Sequence, residues 1–360
     1  MTVFERYPKT TLSTLFITFL LIIDIGAAAL FSSIGLYKPQ YKIESYYRIE
    51  NEIFHHTLAA NITNAKAQWG PILGYEVNTN SLGFKDSQPR KISLEKTNHR
   101  ILLMGDSFTE GVGYAYNDTF AGILDKNLKN KNIEVLNAAV SSYSPIIYYR
   151  KTQYLINKGL EFDHMVVFVD ISDIEDEAKN YIINEDGNVI SKRAGKLNYK
   201  LKRFITENTI ILSNIRILLR KSKNSVKAVN EPKFDDVINA PRSLWTINDG
   251  IYNDYGKKGL KLAEQHMTML ANLLKTNNIK LTIVVYPWPD QIWHKDLESK
   301  QVIFWQNWSK EHNADFINLF PTFINASNPK KTIEDYFIFG DFHWNKKGHN
   351  LIAESILPQL

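Results

Sequence analysis

Apolar and polar positions fall into three regimes along the chain. From Thr10 to Tyr37 apolar residues run almost unbroken, with Asp24 the only formal charge between Lys9 and Lys38. About 20 apolar residues suffice to cross a bilayer, so residues 11–36 are expected to form one transmembrane signal-anchor behind a cytoplasmic tail, residues 1–10. Residues 37–98 are polar and irregular, and read as an extracytoplasmic N-terminal segment. A helix is expected around Tyr46–Ala65 and a Gly/Asn-rich loop at Gly74–Lys85. After Arg100 short apolar runs alternate with helical spacing. Arg100–Met104, Asn132–Asn137, His164–Asp170, Ile279–Tyr286 and Asp315–Leu319 read as strands. Between and after them, Asp118–Leu128, Pro145–Asn157, Lys257–Thr276, Lys300–Glu311 and Lys347–Ile356 read as helices. This alternation predicts an α/β domain over residues 99–360: three α/β/α layers around a mostly parallel, five-stranded sheet. Functional groups are then expected at the carboxyl ends of the strands.

The apolar N-terminal run has a competitor reading. A cleaved signal peptide would use Leu15–Ile23 as its core and the small residues Ala27-Ala28-Ala29 for cleavage. Apolar character continues through Leu30, Phe31, Ile34 and Leu36, which favours an anchor that is kept. A central carboxylate costs about 2.5–3.5 kcal/mol on insertion scales. Asp24 is therefore expected to be protonated, to lie at the interface, or to meet a polar group on a partner helix. Charge counting on either side of the run does not set its orientation, because Arg6 and Lys9 precede it while Lys38, Lys42 and Arg48 follow. A ten-residue tail is expected to stay inside, placing the folded domain in the periplasm or outside the cell, on the cytoplasmic membrane.

Composition narrows the chemistry. The 360 residues are 44% hydrophobic and 22% charged, an ordinary globular balance, and they contain no cysteine. Disulfides, thiolate metal sites and a cysteine nucleophile are excluded. What remains is concentrated in two segments. The run Ile101–Met104 leads straight into Gly105-Asp106-Ser107, placing Ser107 where a strand gives way to a loop and helix. Backbone N–H groups in such a turn can stabilise an oxyanion. Near the end of the chain, Gly340-Asp341-Phe342-His343-Trp344-Asn345 puts a carboxylate two residues before an imidazole. Serine attacks an ester at neutral pH only if a base takes its proton, and that base needs an acceptor to fix its tautomer. Ser107, His343 and Asp341 supply those three roles.

With these residues in view, the chain from about Asn78 onward resembles the SGNH, or GDSL-type, serine esterases and acyltransferases. Gly105-Asp106-Ser107 matches the nucleophile block, and His343 with Asn345 and Gly348 matches the C-terminal block. Asn80-Ser81-Leu82-Gly83-Phe84-Lys85 is similar to the segment preceding the nucleophile strand in bacterial members, and Tyr286-Pro287-Trp288-Pro289-Asp290-Gln291 to one in envelope relatives. The resemblance implies a flavodoxin-like sheet, a catalytic Ser107–His343–Asp341 triad and an oxyanion hole. It also marks departures. Ser142 stands where glycine is expected, in Asn137–Tyr143. In Asp170-Ile171-Ser172-Asp173, Ser172 replaces the usual asparagine donor, and a hydroxyl reaches less far than an amide. The oxyanion hole is accordingly expected at Ser107, Ser142 and Ser172, and Asp341 precedes His343 by one residue fewer than in the commonest form.

Other features qualify this picture. Asp170, Asp173, Glu175, Asp176 and Glu177 are read as a solvated acidic loop rather than a metal site, and neither a metal nor a cofactor is called for. His55 and His56 are assigned no role. Tyr143, Trp288 and Trp344 are candidate sugar-binding rings, the alternative being core packing, which is also open for Trp293. Residues 178–255 read as an insertion, with a hairpin over Tyr181–Ile190. From Lys192 to Lys227 eleven Lys and Arg face the single acid Glu207, a balance of +10 in a chain of net charge +5. Phe204, Ile205, Ile211, Leu212, Ile215, Leu218 and Leu219 could line one helical face there. An amphipathic surface helix is the default, with anionic lipid or acidic polysaccharide as alternative partners and nucleic acid disfavoured. The expected function is a membrane-anchored esterase acting on acyl groups, acetyl foremost, of an envelope glycan or a small ester. The alternatives are an O-acetyltransferase of the same fold, or an inactive glycan-binding or scaffold protein working with envelope-assembly partners.

Overall fold

A computed structural model describes residues 6–36, 46–69, 73–193, 195–216, 218–219, 234–324 and 328–360. These fall into two compact units. One comprises Met1–Tyr46 and Arg193–Glu231, the other Tyr47–Lys192 and Pro232–Leu360.

The larger unit is an α/β domain whose strands follow the apolar runs. In chain order they are β1 (Arg48–Asn51), β2 (His55–Leu58), β3 (Ala65–Trp69), β4 (Leu73–Thr79), β5 (Lys85–Asp86) and β6 (His99–Met104). There follow β7 (Ile133–Asn137), β8 (His164–Val169), β9 (Tyr181–Ile183), β10 (Val189–Ser191), β11 (Lys280–Val285) and β12 (Asp315–Asn318). The main sheet runs β12-β11-β8-β6-β7-β5-β4-β3, and its first five strands are parallel. All six residues of β8 are buried, as are Ile101–Met104 of β6 and Leu281–Val285 of β11. A sheet covered on both faces demands such continuous apolar runs.

From β6 the chain moves outward to β7, then crosses back past β6 to β8 and continues to β11 and β12. Right-handed crossovers send the connecting helices to opposite faces when the direction reverses. Consistent with this, Pro145–Asn157 packs on Lys257–Thr276, while Phe120–Lys129 packs on Lys346–Ile356. The reversal makes the carboxyl ends of β6 and β8 a topological switch point, the place where open α/β sheets bind ligands.

Two expectations for the region before Arg100 are corrected. Tyr46–Ala65 is not a helix: β1 and β2 pair as an antiparallel hairpin. The Asn51 carboxamide accepts the N–H groups of Ile53 and Phe54, and His55 adopts φ 78°, so the local turn takes the chain out of helical geometry. Gly74–Lys85 is not simply a loop either. Tyr75, Val77 and Thr79 are buried in alternation along β4, which with β3 and β5 extends the parallel strands by three antiparallel ones. The sheet thus has eight strands, not five.

In the smaller unit Pro8–Ser33 is one 26-residue helix. Leu197–Asn208 is a second helix, and residues 211–216 and 218–219 are helical. Part of the basic stretch expected to reach Lys227 lies outside the described residues.

Candidate active site

β6 ends at Met104, and the next three residues set up the site. A Cβ on Gly105 would lie 2.2 Å from Thr109 Oγ1, so the turn accepts only glycine there. Asp106 then caps the short helical turn Ser107–Glu110, its Oδ1 accepting the Phe108 N–H at 2.9 Å. Ser107 stands at the start of that turn, just past the carboxyl end of β6.

The C-terminal block reaches the same point. Ser107 Oγ lies 2.8 Å from His343 Nε2, and His343 Nδ1 lies 2.5 Å from Asp341 Oδ1. Asp341 Oδ1 also accepts the backbone N–H of His343 at 2.8 Å. The two-residue spacing therefore lets one carboxylate oxygen hold both the backbone and the ring of the histidine. With Nδ1–H donating to the carboxylate, Nε2 carries the lone pair that faces Ser107. Asn345 fixes the segment from behind, because its carbonyl accepts the N–H groups of Lys347 and Gly348 while its amide donates to the Asp335 and Phe337 carbonyls. Gly348 packs so closely that a Cβ would lie 2.2 Å from the Tyr336 carbonyl oxygen.

A residue that sequence reasoning missed completes this line. Trp69, at the end of β3, donates its indole N–H to Asp341 Oδ2 at 3.1 Å and meets the His343 ring edge-on at 4.8 Å. Burial alone would raise the Asp341 carboxyl, but hydrogen bonds from His343 and Trp69 with the His343 charge hold it below its ordinary value. Asp341 is thereby kept as an acceptor.

Asp106 is the opposite case. Burial, then the neighbouring Asp170, raise its carboxyl well above the usual range. Its Oδ2 lies 3.1 Å from Ser107 Oγ. A serine has one hydroxyl proton to give. When Asp106 is protonated it can donate to Oγ and leave that proton directed at His343; when ionised it competes for it.

The oxyanion candidates are unequal. The backbone N–H groups of Ser107 and Ser142 donate to no acceptor among the described residues, so both are available to a ligand. Ser142 adopts φ 65°, the left-handed conformation that favours glycine. Its loop is braced on three sides: Ser141 N–H donates to Glu110 Oε2 at 2.7 Å, His56 Nε2 lies 2.8 Å from the Ser141 carbonyl, and the Tyr181 hydroxyl donates to the Ser142 carbonyl at 2.9 Å. His56, to which the sequence alone assigns no role, is thus part of the scaffold. By contrast, the Ser172 N–H is taken by Asp170 Oδ1 at 2.7 Å, leaving only its hydroxyl as a possible donor.

Other expectations are corrected by burial. Tyr143, Trp288 and Trp344 are each at most 1% exposed and offer no open face to a sugar. Tyr143 donates to the His56 carbonyl, Trp288 stacks on Phe342 at 4.1 Å while donating to Asp170 Oδ2, and Trp344 packs among Phe108, Phe120 and Tyr286. The acidic stretch is not a solvated loop. Asp170, Asp173, Asp176 and Glu177 are buried, with Arg242 bonded to Asp176 and Glu175, and with Glu177 accepting from Ser144 and Ile146 at the start of helix Pro145–Asn157. Among the described residues, Asp106, Asp170 and Asp173 are the one group whose ligand atoms, all within 4.8 Å of one another, could share a cation. Five of their six oxygens already accept protein hydrogen bonds, and only Asp173 Oδ1 is without a partner.

No family model and no curated protein matches the chain. Solved structures to which it is similar include lipolytic proteins of the G-D-S-L family and esterases. It is similar to TesA at 11% identity and a TM-score of 0.41, covering 73% of this chain and 98% of that one. It is also similar to a G-D-S-L lipolytic protein from Veillonella parvula, at 12% identity and a TM-score of 0.41 over 72% and 97%. An acetyl-xylooligosaccharide esterase from Geobacillus matches at 11% identity and a TM-score of 0.39, over 74% of this chain and 95% of its own. These are distant likenesses.

Proposed function

We propose that this chain is an SGNH-type serine esterase, tethered to the cytoplasmic membrane by its apolar N-terminal helix and acting on acyl esters, acetyl foremost, of an envelope glycan. The observation that carries this reading is the unbroken hydrogen-bonded line from Ser107 Oγ through His343 to Asp341. Ser107 Oγ attacks the acyl carbonyl as His343 Nε2 takes its proton, and Asp341 holds the resulting imidazolium. The backbone N–H groups of Ser107 and Ser142 stabilise the oxyanion, with the Ser172 hydroxyl as a third donor. Collapse of the tetrahedral intermediate transfers the proton to the departing sugar oxygen and leaves an acyl-Ser107. Water, deprotonated by His343, then releases the acid and regenerates the serine. A sugar hydroxyl entering in place of water would make the same intermediate an acyl donor.

Turnover of p-nitrophenyl acetate by the purified chain, with and without glycan acceptors, tests this reading. Acetate release lost in Ser107→Ala supports an esterase, and acetyl passing to the acceptor converts the reading to a transferase. Absence of serine-dependent turnover in folded protein contradicts both and leaves a binding or scaffold role.

A further inference from the structure

The smaller unit holds a feature that esterase chemistry does not use. In helix Pro8–Ser33, Asp24 and Ala28 are buried and Leu21 and Ile25 half-buried, while most of the other side chains are exposed. These four share one stripe at helical spacing. Asp24 is 3% exposed, and its carboxylate accepts three consecutive backbone N–H groups: Ile210 and Ile211 at 2.8 Å, Leu212 at 3.1 Å. Those are the orphan donors where the helical residues 211–216 begin. Helix Leu197–Asn208 runs up to the same point and touches the Pro8–Ser33 helix.

We infer that residues 197–216 form a helical hairpin that dips into the bilayer beside the N-terminal span, with Asp24 closing its tip, so that the chain holds the membrane by two elements. This rests on the reading of Pro8–Ser33 as a retained span. Nine residues separate Asp24 from Ser33, about 14 Å at 1.5 Å per residue, which puts Asp24 inside a hydrocarbon layer about 30 Å thick. At that depth a lone carboxylate and a helix end with open N–H groups are each costly. Paired, each removes the other's cost.

The distribution of side chains agrees with an acyl environment. Leu197, Leu201, Phe204, Ile211, Ile215, Leu218 and Leu219 are between 47% and 79% exposed, an apolar surface left largely open by the described residues. Between Phe204 and Ile215 the only charge is Glu207, and Arg203 pairs with it. The tip itself buries Thr209 and Ser213, whose hydroxyls bond back to main-chain carbonyls. Lys196, Lys200 and Lys202 lie toward the open end, where long basic side chains can reach anionic headgroups, while Arg216 donates to the Lys202 carbonyl and the Thr206 hydroxyl and ties the two arms together. The occupant of the apolar surface is therefore the lipid of the leaflet that holds the outer half of the span.

Because the chain has no cysteine, single cysteines report cleanly. Full-length Ile211→Cys and Leu197→Cys, each carrying an NBD fluorophore, would be placed in nanodiscs of phosphatidylethanolamine and phosphatidylglycerol with doxyl lipids. The expected result is quenching at Ile211 by a mid-chain doxyl group and none by aqueous iodide, with a shallower probe at Leu197. Adding Asp24→Ala should return the Ile211 probe to iodide access. If that variant does not fold, the depth in the parent chain decides. Iodide access at Ile211 in a chain that resists carbonate extraction would overturn the hairpin and leave the anchor. An intact mass lacking the first 27–29 residues would overturn both. Unchanged depth in the Asp24→Ala variant would overturn the capping role.

Discussion

At the scale of single residues, the site is defined by which hydrogen bonds each carboxylate keeps. In the proposed esterase, Trp69 acts through Asp341 as a positioning residue. Trp69→Phe keeps the ring against His343 but removes the indole donor. The expected loss in kcat is about tenfold, the rate equivalent of one charge-assisted hydrogen bond, with KM nearly unchanged. Since that bond favours the Asp341 carboxylate, its loss should also move the acid limb of the pH–rate profile to higher pH. An unchanged profile would assign Trp69 to packing alone. Asp173 makes the complementary prediction. Burial, then Asp170 and Asp106, push its carboxyl well above its ordinary value of 3.8. The folded state therefore binds this proton more tightly than the unfolded chain, and its stabilising contribution is lost as pH rises through the native pKa. Asp173→Asn retains an acceptor for the Tyr148 hydroxyl and the Asp170 N–H, and places a donor where Oδ1 now has no partner. Urea denaturation should show it more stable than the parent by about 1 kcal/mol at pH 8, with the gap closing as pH falls toward 3.8.

Between elements, the nucleophile turn, the Ser142 loop and the β1–β2 hairpin are joined by one ion pair. Arg48 donates to both oxygens of the fully buried Glu110, at 2.9 and 2.5 Å, and Glu110 also accepts the Ser141 N–H. Burial alone would raise the Glu110 carboxyl, and Arg48 overrides it and holds it below the ordinary range. Removing one partner of such a pair leaves a buried charge uncompensated. Arg48→Met should destabilise the domain by about 3 kcal/mol in urea denaturation, and Arg48→Met with Glu110→Met should recover part of it. A single variant as stable as the parent would show the pair to be a surface contact. Sequence reading missed this link for a physical reason. The five parallel strands were legible because burial on both faces writes them as apolar runs such as Met165–Val169. β1 and β2 carry Arg48, Glu50, His55 and His56, and what makes them strands is cross-strand pairing and an Asn51 turn, neither of which leaves an apolar period. The same limit hid the fates of Trp288 and Trp344. An indole near a strand end reads alike whether it packs inward or faces a ligand, and only the surrounding Phe108, Phe342 and Tyr286 decide.

For the whole molecule, strand order accounts for where the chemistry sits. Reversal of direction around β6 makes the carboxyl end of that strand, where Ser107 begins, a topological switch point, and the segment that leads into the closing helix Lys346–Ile356 brings His343, 236 residues further on, to it. Ser107, Asp341 and His343 were legible because each lies in a short motif tied to a strand end or a helix start. Trp69 and Glu110 were not, because each acts across a long sequence separation with no local pattern. The measurement that tests the central claim most directly is reaction of the folded full chain with a fluorophosphonate probe, followed by peptide mass mapping. One adduct on Ser107 is predicted, lost in Ser107→Ala and slowed ~10⁴-fold or more in His343→Ala. Labelling elsewhere, or none in folded protein, would contradict an activated serine at this site.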